Sequence, residues 1–188
     1  MQFLLFAISY PLIWMLSRTP MRLLYLLSDV LYFLIYHVFR YRKQVVLENL
    51  QLAFPDKTQK ERTAISKKFF SHFTDLFVES IKAFSISEKE IRKRYAYKNP
   101  ELVNLYFKKQ RSVALVGAHQ ANWEWSISLP LVLNNPIYGA YTKLSNPYFE
   151  KWVRASREKF GCIGYKTSEM VKGMHERFSG NDQELISY

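Results

Sequence analysis

The first 17 residues carry no charged side chain, and the run from Phe3 to Leu16 is almost wholly apolar. Such a segment must be buried against the rest of the chain or in a lipid phase, and this constrains every fold the chain can adopt. A membrane-spanning helix needs roughly 20 apolar residues, with about 17 as the lower limit, and Pro11 would kink it. Full spanning and tilted or partial insertion are both compatible with this length. A cleaved signal peptide is not: Met1-Gln2 puts no positive charge ahead of the apolar stretch, and no small-residue cleavage site follows at Arg18-Thr19-Pro20. The segment is expected to act as an uncleaved anchor.

A second apolar run, Leu23 to Phe39, includes Asp29 and His37 and ends at Arg40-Tyr41-Arg42-Lys43. Its polar residues disfavour a second span. Two readings stay open, a buried amphipathic helix packed on the globular part and an interfacial helix whose basic end meets anionic headgroups. Nearly all of the net charge of +11 lies beyond residue 39, and the positive-inside rule places that body in the cytoplasm. With 48% hydrophobic and 16% aromatic residues, the chain is too apolar to be disordered. A length of 188 residues suits one domain plus an anchor, divided as 1–43 for the anchor and interfacial helix and 44–188 for the globular domain. One Cys excludes an intrachain disulfide, and with no Cys pair and no HExxH string no zinc site is expected.

Thr58-Gln59-Lys60-Glu61 has the spacing of a capping box. Ile65, Phe69, Phe73, Phe77, Ile81 and Phe84 follow at helical intervals, which predicts an amphipathic helix over 59–84 with these residues as its apolar stripe. His72 and Glu79 on that helix read as surface or core groups. Lys89 to Lys98 reads as a solvated basic linker, and a short helix is expected from Glu101 to Lys109. Ser112 to Ala118 suits a fully buried strand, which puts His119 at a strand's C-terminal end. A helix over about 122–129 should stop or kink at Pro130, and Ile137 to Tyr141 reads as a second strand. Asn146 then caps a helix with Pro147 at its first position, Phe149, Trp152, Val153, Ser156 and Phe160 on one face, and Gly161 at the stop. A helix over 168–178 leads to the start of another strand over 184–188, so further strands are expected beyond the last residue. The alternation predicts an α/β fold: a mixed, mainly parallel sheet flanked by helices, preceded by a helical membrane-anchoring segment and lacking its C-terminal part. Ligands of such sheets bind near the carboxyl ends of the strands.

His119 lies five residues before Glu124. In an unbroken helix five steps put the two side chains on different faces, so they meet only if His119 is still in the turn and Glu124 is in the first helical turn. A carboxylate on one imidazole nitrogen would fix the tautomer and leave the other nitrogen free as a general base. Taken alone, a His and a Glu at this spacing fit a structural role more readily than a catalytic one. Cys162, with no base motif around it, reads as structural.

In context the segment Gly117-Ala118-His119-Gln120-Ala121-Asn122-Trp123-Glu124 resembles the H-x-G-N-W-E motif of the lipid A late acyltransferases, the lauroyl and myristoyl transferases of the lysophospholipid acyltransferase fold. Arg42 to Leu50 followed by Ala53-Phe54-Pro55 is similar to that family's N-terminal pattern. Glu79 falls where a Glu is common, and Tyr141 to Pro147 with Arg157 and Gly161 resembles its second block. The chain departs from the pattern in having Ala121 in place of Gly and Thr142 ahead of Lys143. The family's Asp-Gln block after the next strand has no counterpart, because Asp182-Gln183 precedes that strand.

The resemblance implies acyl transfer from a thioester, on acyl carrier protein or acyl-CoA, to a hydroxyl of a lipid A precursor or related membrane glycolipid. The setting it implies is the bacterial inner membrane, with the catalytic domain on the cytoplasmic side. His119 would be the general base and Glu124 its orienting partner. Asn122, Trp123 and Asn146 would contribute to substrate binding, and Lys143 and Arg157 would meet anionic substrate; the two cations also fit solvated surface charges. No metal and no cofactor is implied. The rival reading is a truncated, inactive acyltransferase-like membrane protein that binds anionic lipid. A nucleic-acid partner is not expected, since no recognition motif accompanies the charge.

Overall fold

The computed structural model describes residues 1–178 and 185–187. The chain divides into two units, Met15–Lys82 on one hand and Met1–Trp14 with Ala83–Tyr188 on the other.

The first of these is helical. Helix α1 (Gln2–Arg18) ends in it; α2 (Met21–Tyr32) continues as a π-helical segment, Phe33–Val38; α3 (Lys43–Ala53) and α4 (Gln59–Ala83) follow. Met21–Val38 is the one stretch among the described residues long and apolar enough to cross a membrane; α1, at 17 residues with Pro11 inside, is shorter. One face of α2 and its continuation is nevertheless packed against protein, with Leu24, Ser28 and Tyr36 buried, as the amphipathic reading of the second run expects. Ser28 donates to Asp75 (2.7 Å), Tyr25 donates to Glu79 (2.6 Å), and the Tyr36 and Phe70 rings meet edge to face at 5.4 Å. The Lys43 ammonium lies over Tyr36, 4.0 Å from the ring centroid.

Helix α4 has the expected extent but not the expected inner face. Its buried positions are Ser66, Phe70, Thr74, Val78 and Ala83, whereas Phe69, Phe73 and Phe77 of the expected stripe are exposed. The helix is apolar on two sides, and spacing alone does not say which side finds a partner. Its start is as the sequence reads: Glu61 accepts from the Thr58 N–H and hydroxyl, both at 2.8 Å, and Thr58 Oγ1 accepts from the Glu61 N–H at 3.3 Å. The Thr58 N–H, then its hydroxyl, lower the pKa of Glu61. A depressed carboxyl favours the folded state above its unfolded pKa, and the contribution fades as pH falls through the folded value. Thr58→Ala removes the hydroxyl half of this cap and is expected to destabilise the protein at neutral pH and less so in acid, as read by denaturant unfolding at the two pH values.

The second unit carries the sheet. Helices α5 (Glu88–Arg94) and α6 (Pro100–Lys108) lead to β1 (Val113–Leu115), a 3-10 helix (Trp123–Leu131), β2 (Ile137–Tyr141), α7 (Pro147–Glu158), β3 (Cys162–Lys166), α8 (Thr167–Phe178) and β4 (Leu185–Ser187). Strand order is β1-β4-β2-β3 and every pairing is parallel, with Ile137 opposite Cys162 on one side and Leu185 on the other. The fold is mostly helical with a small parallel sheet, compatible with the α/β expectation. Its core joins Phe107, Leu133 and Ile137, with Val103, Leu115 and Cys162 packed around them.

Three expectations change here. The presumed linker after Lys89 begins inside a helix, α5, where Ser87 caps the Glu90 N–H and Glu88–Arg92 and Glu90–Arg94 pair one turn apart. The run Ser112 to Ala118 pairs only over Val113–Leu115 and is not fully buried, because β1 has a neighbour, β4, on one side only among the described strands. The helix expected over 122–129 is instead a 3-10 helix that carries Pro130 within it and closes through the Val132 N–H on the Leu129 carbonyl at 3.0 Å. Asp182-Gln183 lies outside the described residues.

Candidate active site

The loop that leaves β1 exposes His119, which lies four residues before the first residue of the 3-10 helix. Its ring contact is with Trp123, centroids 4.4 Å apart and tilted by 56°, and Trp123 itself stays 39% exposed. Asn122 is buried at the start of the 3-10 helix. Glu124, in the first turn, is paired with Arg157 from the last turn of α7: Nη2 to Oε1 is 2.7 Å and Nε to Oε2 is 3.4 Å. This is a two-pronged guanidinium–carboxylate contact, which fixes the carboxylate plane as well as its position. No hydrogen bond joins His119 to Glu124 among the described residues; Arg157 holds the carboxylate and Trp123 meets the imidazole.

Arg157 reaches Glu124 because α7 is well anchored. Asn146 Oδ1 accepts from the Tyr148 and Phe149 N–H groups at 3.0 and 3.4 Å, and its amide donates to the Gln2 carbonyl at 3.0 Å. Trp152 stacks on Phe84 at 3.9 Å and meets Tyr10 edge to face at 4.8 Å. Ser156 donates to the Ala83 carbonyl at 3.2 Å, and Lys159 reaches the same carbonyl. Asn146 thus serves as a helix cap. Lys143, in the loop between β2 and α7, is exposed and makes no ion pair within 4 Å among the described residues. That loop is ordered by Glu150, which accepts from the Leu144 N–H and the Tyr141 hydroxyl, both at 2.8 Å. The Leu144 N–H is the main cause of the lowered Glu150 pKa, opposed by desolvation and assisted by Tyr141 and by the charges of Lys143 and Arg154.

Both flanks of the His119 loop line one cavity of about 360 Å³, within the usual size of small-molecule sites. Val116 and Gly117 come from the β1 side, Ser126 and Ile127 from the 3-10 helix, and Leu133 and Ile137 form buried wall. Tyr97, also in the lining, bonds through its hydroxyl to the Ser126 carbonyl (3.1 Å) and Ser128 (3.0 Å), and burial raises its pKa. The mostly apolar lining suits hydrocarbon. Cys162 lines it too, with its thiol pushed up to about 11 by burial and, secondarily, by Glu158, so it is protonated at neutral pH and is no nucleophile there.

The sequence model of bacterial lipid A biosynthesis acyltransferases matches residues 2–182. The chain belongs to that family. Among curated proteins none matches it. The family assignment gives this lipid A biosynthesis acyltransferase homologue an acyltransferase-type function in general terms. It also bears on the His119 loop. Ala121 has a φ of +51°, in the left-handed region where a Cβ is strained and glycine is at ease. Ala121→Gly is expected to raise stability by up to about 1 kcal/mol, because relief of the strain exceeds the entropy that glycine adds to the unfolded chain. Thermal unfolding of the two proteins side by side measures it.

Proposed function

We propose that the protein transfers a fatty acyl group from a thioester, carried by acyl carrier protein or coenzyme A, to a hydroxyl of a lipid A precursor or related membrane glycolipid. The observation that carries this reading is the position of His119: solvent-accessible, on a loop leaving the C-terminal end of a parallel strand, with an apolar cavity lined by both flanks of that loop. In the proposed reaction His119 takes the proton of the acceptor hydroxyl as the oxygen attacks the thioester carbonyl. The tetrahedral intermediate collapses with loss of the thiolate, which receives the proton from the imidazolium. The products are an ester and a free thiol. The acyl chain of the donor lies in the cavity, and no metal or cofactor enters the scheme.

Glu124 has two possible positions in this scheme, on Arg157 as observed or turned toward His119 once substrate is bound, since catalytic contacts tighten in the substrate complex. Arg157 then acts by holding Glu124, and exposed Lys143 is the cation placed for a phosphorylated headgroup or an acidic carrier. Trp123 meets the imidazole, and in this reading Asn122, at the start of the 3-10 helix, joins it in substrate binding. On the proposed domain division, residues 1–43 tether the catalytic part to the cytoplasmic face of the inner membrane; Leu4, Leu5, Ile8 and Leu12 of α1 offer an exposed apolar face for this.

The test is incubation of the purified full chain with an acyl carrier protein thioester and a lipid A precursor in mixed micelles. Thiol release together with a glycolipid heavier by one acyl group supports the reading. Folded protein that binds anionic lipid yet releases no thiol above background overturns it and favours the inactive lipid-binding alternative.

A further inference from the structure

We propose that α6 rests on the surface of an anionic bilayer through the face it turns away from the core. The helix is apolar on two sides. Phe107 is buried and Val103 packs in the core cluster with Leu133 and Ile137. On the outside Leu102, Leu105 and Tyr106, at the spacing of one helical face, are 54%, 51% and 43% exposed. Nothing in the described chain covers them. A short helix with apolar residues on its outer face needs a partner that accepts apolar surface.

The residues around that face identify the partner. Lys98 precedes the helix, Lys108 ends it, and Lys109 and Arg111 follow; all four are exposed and none makes an ion pair among the described residues. Glu101 is the one acid between residues 98 and 111. Unpaired cations beside exposed leucines and a tyrosine match the composition of an interfacial helix, with aliphatic groups below the headgroups, the phenol at the boundary and ammonium groups among the phosphates. A docked acidic protein fits less well. Protein interfaces are depleted in lysine, and three of these four cations are lysines, whose flexible point charges suit a diffuse anionic surface better than a fixed set of carboxylates.

The consequence for the site is geometric. Pro100 and Val103 of α6, with Lys98 and Asn99 ahead of it, also line the cavity. A helix touching lipid on its outside and walling the cavity on its inside brings that cavity beside the bilayer, where an acyl chain can enter without crossing water. The proposal stands on the surface of α6 alone, so it survives if the catalytic reading fails.

The experiment uses the full chain in a Cys162→Ser background, with Leu105→Cys or, as a second site, Tyr106→Cys carrying a nitroxide, and Leu5→Cys as the control on α1. Vesicles of phosphatidylcholine, with and without phosphatidylglycerol, are the probe. With phosphatidylglycerol present, the labels on α6 are expected to gain access to oxygen and lose access to a polar nickel chelate. Replacing Lys98, Lys108 and Lys109 by glutamine should weaken vesicle binding about fivefold per lysine at low salt, with the difference vanishing at high salt. Labels on α6 that stay as accessible to the chelate as in vesicle-free solution overturn the proposal, whether or not the control on α1 is immersed. So does protection by an acidic carrier protein in place of vesicles, which would assign the face to a protein, and so does vesicle binding that ignores the glutamine substitutions.

Discussion

Replacing His119 by alanine is expected to lower acyl transfer about 10²–10⁴-fold, the usual contribution of a positioned general base. A glycolipid hydroxyl is almost wholly protonated near neutral pH and needs a base to take its proton as it attacks. The loss should appear in kcat and kcat/KM together, because a proton is taken only on the way to the transition state. His119 is exposed, so the variant should keep its fold, and unchanged thermal unfolding is the control. Turnover by folded His119→Ala within a few-fold of the parent would end the proposed mechanism. Residual activity should not come from Cys162, whose thiol is held protonated in its apolar lining.

Local chemistry in this chain is readable wherever neighbouring residues decide it. Thr58 with Glu61 and Asn146 with Pro147 each start a helix by satisfying N–H groups that no helix can satisfy internally, and both are found as caps. Ser87 and Glu90 have the same spacing as Thr58 and Glu61, and the charge run around them hides a helix start that the capping rule could have found. What neighbours do not decide is less legible. Helix α4 carries Phe69, Phe73 and Phe77 on one side and Phe70 on another, and only contact with Tyr36 selects the side that is buried. The run around Ala114 is apolar enough for a central strand, but its place in the sheet depends on β4, which enters between β1 and β2 from more than 70 residues away in sequence. The candidate site follows the same division. Motif and strand end put His119 and Glu124 near one another in the chain, whereas the partner Glu124 takes in the structure, Arg157, lies 33 residues on and belongs to a different helix.

That partner gives the second large effect. Glu124→Gln keeps the size of the side chain and removes its charge, and it is expected to lower turnover by about 10² or more, short of the roughly 10⁴ lost when the orienting carboxylate of a Ser-His-Asp triad is neutralised. Arg157→Ala separates two roles for the guanidinium. If Arg157 acts by fixing the carboxylate that it contacts at 2.7 Å, its loss falls mainly on kcat, and the double variant is scarcely worse than Glu124→Gln alone, because the two residues work as one unit. If Arg157 instead grips an anionic substrate, its loss falls on KM, diminishes at high salt and adds to that of Glu124→Gln. The geometry favours the first outcome. Both prongs of the guanidinium are already committed to Glu124, and a substrate phosphate would have to displace a carboxylate held in a partly buried ion pair. Lys143→Ala supplies the contrast, since this exposed ammonium has no such commitment: its effect should be on KM, should shrink with salt, and should add to that of either partner. Steady-state kinetics of the three single variants and the Glu124–Arg157 double, at two ionic strengths, separate these outcomes.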